Sequence, residues 1–124
     1  MEKTEQWELD FKWLEIRHLI KDAMKKKKLP DLNTILLLIG VQEVGIIKAQ
    51  FTKEEKQDLM HVAVCTLLSD LGYYRLAGKD DEGWPVWELL KPIDVGAAGE
   101  QATLLKMQII NYFNKNNNQQ NEEI

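Results

Sequence analysis

The sequence predicts a mainly α-helical fold: a compact domain of four helices with one β-hairpin between helices 3 and 4. Apolar residues recur three and four positions apart in four segments, which is typical of helices. Between the third and fourth segments, aromatic residues alternate on either side of the turn-rich string AGKDDEG, which favours a hairpin. A chain of 124 residues with 44% hydrophobic and 29% charged residues suits one domain with a true core.

The first predicted helix covers residues 4–28 and stops before Pro30, because the residue preceding a proline disfavours helical geometry. Its narrow second stripe of Trp7, Phe11 and Leu14 lies nearly opposite the main apolar arc. Such a stripe predicts contact with a second chain, or cover by another helix of the same chain. The main arc, predicted to face the core, consists of Leu9, Trp13, Ile16, Leu19, Ile20, Ala23 and Met24.

The second predicted helix covers residues 32–47 and is apolar on all sides between Ile35 and Val41, which predicts a buried position. Gly40 and Gly45 are predicted to let a neighbouring helix approach closely, since glycine is otherwise unfavourable inside a helix. Glu43 would need a partner if buried, and the alternative is that this end of the helix is exposed.

The third helix has the clearest start. Thr52 and Glu55 form a predicted capping box, in which each side chain bonds the other's backbone N–H. Gly72 is predicted to end this helix. Its predicted core arc comprises Met60, Val64, Leu67, Leu68 and Leu71, widened by Leu59, Val62 and Ala63. A narrow line of Asp58, His61, Cys65 and Ser69 is left over.

The predicted hairpin covers about residues 73–90, and a short helix starting at Pro85 is the alternative. The last predicted helix covers residues 100–113. Its core face holds Ala102, Leu105, Ile109, Tyr112 and Phe113, while Leu104 and Met107 fall outside that face. Residues 1–113 would then form a single domain. Residues 114–124 are polar and low in complexity, so we expect them to be disordered.

Three segments, LPDLNTILLLIGVQEVG, FTKEEKQDLMH and EGWPVWEL, carry a resemblance to a known family. They resemble a small family of bacterial proteins to which no activity is assigned. The resemblance covers roughly residues 10–90 and implies a bacterial, cytosolic origin. It implies no fold detail, ligand or catalytic residue.

Each histidine follows an acidic residue by three positions, which places the two side chains on one helix face. Carboxylate-bridged di-metal bundles use such pairs together with further glutamates. The candidate metal ligands are therefore Glu15, His18, Glu43, Asp58 and His61. The simpler interpretation is that the first two residues lie on a solvated face, while Asp58 and His61 form a local hydrogen bond.

His61 and Cys65 lie one helical turn apart, and a nearby imidazolium can activate a cysteine. A catalytic cysteine usually lies at a helix N-terminus or in a loop, whereas Cys65 lies mid-helix between Val62, Val64 and Leu68. These neighbours favour an inert, buried thiol. The chain also has no phosphate-binding glycine loop, nucleophile elbow or zinc-protease motif.

The order of three helices and a hairpin is also compatible with a winged helix, which can bind nucleic acid. The net charge of −4 and the acidic hairpin tip at Asp80, Asp81 and Glu82 argue against contact with phosphates. We therefore expect no nucleic-acid partner.

The predicted function is that of a non-enzymatic protein–protein interaction module, most simply a homodimer. A metal-binding or enzymatic helical bundle is the alternative, and a nucleic-acid-associated winged helix is a weaker one. We expect no cofactor, no signal peptide, no membrane span and a cytoplasmic location, which one unpaired cysteine fits. The predicted interaction residues are Trp7, Phe11, Leu14, Tyr73, Trp84, Leu104 and Met107.

Overall fold

The computed structural model describes residues 6–46, 48–93 and 98–122. The described chain contains four helices and one antiparallel hairpin between the third and fourth helix, as the sequence predicts. None of the described helices is both long and apolar enough to span a bilayer. Contacts group the chain into two units, one holding the first and last helices and the other holding everything between them. The elements are α1 (Gln6–Ala23), α2 (Leu32–Val44), α3 (Lys53–Ser69), β1 (Tyr74–Lys79), β2 (Pro85–Leu89) and α4 (Ala98–Glu122).

The first unit contains α1, which buries Leu9, Trp13, Ile16 and Ile20 from the predicted arc. Leu19 and Met24, which the sequence places on the same arc, are 49% and 40% exposed. The predicted arc was therefore too wide at the C-terminal end of the helix. α1 also ends earlier than predicted, since Lys25 adopts a left-handed conformation with φ of 56°.

The same unit contains α4, which buries Gln108, Ile109 and Ile110. Ile109 was predicted to face the core, whereas Ile110 and Gln108 were not. The Lys106 ammonium lies 5.7 Å from the centre of the Trp13 ring on α1. The helix continues through Glu122, across a polar segment for which the sequence predicts disorder. An existing helix extends at low cost, because each added residue gains one hydrogen bond.

The second unit is built on α2 against α3. A Cβ atom placed on Gly40 would lie 2.0 Å from the Leu59 carbonyl oxygen, so the predicted close approach at this glycine is confirmed. The predicted close approach at Gly45 is wrong, because a Cβ atom placed on it would have no neighbour within 4 Å. Gly45 instead follows the end of α2, with φ of +80°. It stops the helix and does not pack against a neighbour.

The predicted capping box of α3 is present. The Glu55 N–H donates to the Thr52 hydroxyl at 3.1 Å, and the Thr52 N–H donates to the Glu55 carboxylate at 2.9 Å. Gly72, with φ of +83°, follows the C-terminus of the helix as predicted. The buried face differs from the predicted arc: Cys65 is fully buried, whereas Leu71 is 39% exposed.

The hairpin follows directly and rules out the alternative helix at Pro85. Tyr74 pairs with Leu89 and Leu76 pairs with Trp87, so these four side chains share one face. Asp80 shapes the turn, because its carboxylate accepts hydrogen bonds from the Glu82 and Trp84 N–H groups, each at 2.9 Å.

Candidate interaction surface

The outer stripe, defined as Trp7, Phe11 and Leu14, lies on the solvent side of α1. These side chains are 68%, 58% and 41% exposed. Among the described residues, no helix of the first unit covers the stripe as the second predicted alternative requires. Exposed fractions of this size on three large side chains amount to an apolar patch of a few hundred Å², a size at which surface patches are often functional.

Helical geometry explains why the outer stripe faces solvent. The fully packed residues of α1, among them Trp13 and Ile16, occupy the opposite side of the helix. A helix of 3.6 residues per turn cannot direct both sets of side chains to one partner. The larger set is buried, which leaves the smaller set exposed to solvent.

His18 extends the outer stripe by one further turn and is exposed. A shallow groove of about 390 Å³ runs along this end of α1, lined by Phe11, Leu14, Glu15, His18 and Leu19. Leu19 was predicted to belong to the core and lines this groove instead. Nearby, the Arg17 guanidinium donates from Nε to the Pro30 carbonyl at 2.8 Å, which fixes the segment after α1.

The other predicted interaction residues are less exposed. Tyr73, Trp84 and Leu104 are half-buried, and Met107 is 38% exposed. The Lys91 ammonium lies 4.6 Å from the centre of the Tyr73 ring, a cation–π contact that occupies part of that aromatic surface. These positions therefore contribute less free apolar surface than the outer stripe does.

The hairpin presents exposed apolar residues that sequence reasoning did not single out as surface. Leu76, Leu89 and Leu90 are 52%, 55% and 51% exposed, and Val86 is 43% exposed. Alternation along a strand predicts which of its side chains share a face. It does not predict whether another element covers that face, because cover depends on elements distant in sequence.

The candidate metal ligands do not form a centre. Within the part of the chain that the structure describes, no three histidine, cysteine, aspartate or glutamate side chains lie where they could hold a metal ion. Glu15, His18, Glu43, Asp58 and His61 are all exposed. The geometry therefore gives the metal hypothesis no support.

His61 and Cys65 are in contact, with 3.5 Å between Nε2 and Sγ. The Tyr74 ring lies edge-on to the His61 ring, with centres 6.4 Å apart. Burial raises the pKa of the Cys65 thiol to about 11, which a hydrogen bond with Tyr74 offsets only in part. A nucleophilic thiolate requires the opposite shift. The arrangement is that of the inert, buried thiol that the sequence favours.

An open cleft of about 390 Å³ lies between α3 and the hairpin turn. It is lined by acidic side chains from both elements, together with Ile46, Lys48 and Trp84. The Lys48 ammonium forms an ion pair with the Glu55 carboxylate and donates a hydrogen bond to it. This hydrogen bond lowers the pKa of the Glu55 carboxyl. The acidic lining residues are Glu55, Asp58, Asp80 and Glu82.

No protein-family model, no curated protein and no solved structure shows significant similarity to this chain.

Proposed function

We propose that this chain is a non-enzymatic protein–protein interaction module that forms a homodimer through the outer stripe of α1. The observation that carries the proposal is the exposure of Trp7, Phe11 and Leu14 along one helix face. Aromatic residues are enriched where proteins contact one another, and a few of them supply most of the binding free energy.

A second copy is the simplest partner for this face. An isologous interface brings the same patch of both chains together, so one apolar stripe is enough to build it. The patch of a few hundred Å² on each chain lies at the low end of specific interfaces. We therefore expect a dimer with a dissociation constant in the micromolar range.

We further propose that the protein acts in the bacterial cytosol. The family resemblance of the segments LPDLNTILLLIGVQEVG, FTKEEKQDLMH and EGWPVWEL supports this location. One free cysteine, Cys65, also fits a compartment in which thiols stay reduced.

The test of self-association is light scattering of the full chain from a few to about 100 μM, because dimer formation follows protein concentration. We expect the wild-type mass to approach twice that of the 14.4 kDa chain. Phe11→Ser should weaken the dimer at least tenfold, because it removes an aromatic anchor from the middle of the stripe.

Leu89→Ser is the matched control, since Leu89 is as exposed as Phe11, at 55% against 58%, but lies on the hairpin. The control variant should dimerise like the wild type, and both variants should keep the wild-type circular dichroism spectrum. A wild-type chain that stays monomeric across this range would refute the proposal. Loss of the dimer in the Leu89 variant but not in the Phe11 variant would place the interface on the hairpin and refute the proposal.

A further inference from the structure

The outer stripe has the spacing of a coiled-coil seam. Trp7, Phe11, Leu14 and His18 are separated by four, three and four positions, and Lys21 continues the pattern after three more. Alternating intervals of three and four place residues on the line along which two helices meet at a small crossing angle. Two copies of α1 can therefore pack lengthwise, either parallel or antiparallel.

We propose, on the basis of the homodimer proposed above, that the two α1 helices pack antiparallel. The two-fold axis crosses the seam at the height of Lys12 and Trp13 along the helix. Phe11 then packs against the partner's Leu14, and Trp7 packs against the partner's His18. Each helix brings its aromatic end to the polar end of the other.

The residues within the seam favour this direction. A parallel pair would set every seam residue opposite its own copy, so that Lys21 would face the partner's Lys21 at close range. Two like charges brought together and partly removed from water repel each other. The two polar side chains of His18 would also share one layer of the seam. In the antiparallel pair, neither Lys21 nor His18 faces its own copy. His18 lies against the ring face of the partner's Trp7 instead.

Charges beside the seam do not favour either direction. The antiparallel pair sets Asp10 near the partner's Arg17, which is attractive, and Glu8 near the partner's Glu15, which is repulsive. The parallel pair likewise gives one attractive contact, Arg17 with the partner's Asp22, and one repulsive contact between acidic residues. Exposed contacts of this kind are weak. The seam residues therefore decide the direction.

Spin labels on Lys12 and Ala23 distinguish the two directions. Both residues are exposed and point away from the seam, so labels there leave the interface intact. In the antiparallel dimer the two Lys12 residues lie at nearly the same height along the helix pair, whereas the two Ala23 residues are separated by roughly 30 Å along the helices. In the parallel dimer the two Lys12 residues lie side by side, and so do the two Ala23 residues. The Lys12 distance and the Ala23 distance are then similar. Cys65 is fully buried, so wild-type chain treated with the label is the control for unwanted reaction.

Pulsed electron–electron double resonance on the full chain, at a concentration where light scattering shows the dimer, measures both distances. We expect the Ala23 distance to exceed the Lys12 distance by more than about 10 Å, given the rise of a helix per residue. Equal distances in a chain that is dimeric would overturn the antiparallel arrangement and leave the homodimer standing. A monomer by light scattering would instead remove the proposed function itself. If the Ala23 label prevents dimerisation, Lys26, exposed just beyond the end of α1, takes its place with the same expected order of distances.

Discussion

Gly40 determines how closely α2 can approach α3. The Leu59 carbonyl oxygen lies 2.0 Å and its carbon 2.6 Å from the position that a Cβ on Gly40 would occupy. Both atoms belong to the backbone of α3, so no side-chain rotation can make room. Ile39 beside this glycine is 1% exposed and Leu59 is fully buried. A larger residue would have to separate two helices whose contact forms the core of the second unit.

Gly40→Ala should therefore lower the free energy of unfolding by about 3 kcal/mol, the upper part of the range for overpacked cores. Urea unfolding followed by circular dichroism measures this change. Gly99→Ala is the matched control, since Gly99 lies in α4 and a Cβ atom placed on it would have no neighbour within 4 Å. The control should leave stability unchanged or raise it by up to about 1 kcal/mol, because alanine favours helices. A Gly40→Ala variant as stable as the control would contradict the close approach.

The hairpin is the element that depends most on one turn. Two strands without a third are marginally stable on their own, and several of the apolar residues on them are exposed. Asp80 organises the turn: its carboxylate accepts two backbone hydrogen bonds, its own N–H donates to the Trp84 carbonyl at 2.8 Å, and its carbonyl accepts from Gly83 at 3.0 Å. Gly83 has φ of +87°, which suits a residue without a side chain.

Replacing Asp80 by alanine should destabilise the hairpin by about 1–2 kcal/mol, the usual cost of losing local side-chain acceptors for backbone donors. Hydrogen exchange of the β1 and β2 amides measures local opening, and these amides should exchange faster in the variant. Asp81→Ala should exchange like the wild type, because the Asp81 side chain is exposed at the tip of the same turn. Asp80→Asn, which keeps the accepting oxygen, should restore most of the protection. Unchanged exchange in Asp80→Ala would show that the turn does not need this carboxylate.

The elements that sequence reasoning predicted best are those with a local cause. The capping box at Thr52, the stop at Gly72 and the hairpin in place of a helix at Pro85 each follow from a few neighbouring residues. The end of α1 was placed too late, because a left-handed Lys25 has no signal in a run of lysines. The extent of α4 beyond Phe113 was also missed, since composition reflects the preference of isolated segments and not the continuation of an existing helix.

At the scale of the whole molecule, the outer stripe could be found from sequence, whereas the other exposed apolar residues could not. Trp7, Phe11 and Leu14 stand out because their positions fall opposite a larger apolar arc. The exposure of Leu19 and of hairpin residues such as Leu76 depends on which elements come together, and local periodicity carries no such information. The burial of Cys65, in contrast, was predicted from its apolar sequence neighbours Val62, Val64 and Leu68, and it is confirmed.

The charge of the whole chain leads to the last prediction. A net charge of −4 is combined with exposed acidic residues at the hairpin tip, and α3 begins with two lysines balanced by two glutamates. Because binding to duplex DNA rests mainly on neutralising phosphates, we expect no complex with random duplex at about 150 mM salt beyond weak non-specific contact. Fluorescence anisotropy of a labelled duplex, titrated at about 50 and 150 mM salt, measures this. The double variant Asp81→Lys, Glu82→Lys is the control for sensitivity and should bind more tightly at the lower salt. A wild-type complex with a dissociation constant below about 1 μM, and with an affinity that falls steeply with salt, would contradict this prediction. It would show that basic side chains elsewhere on the chain outweigh the net charge.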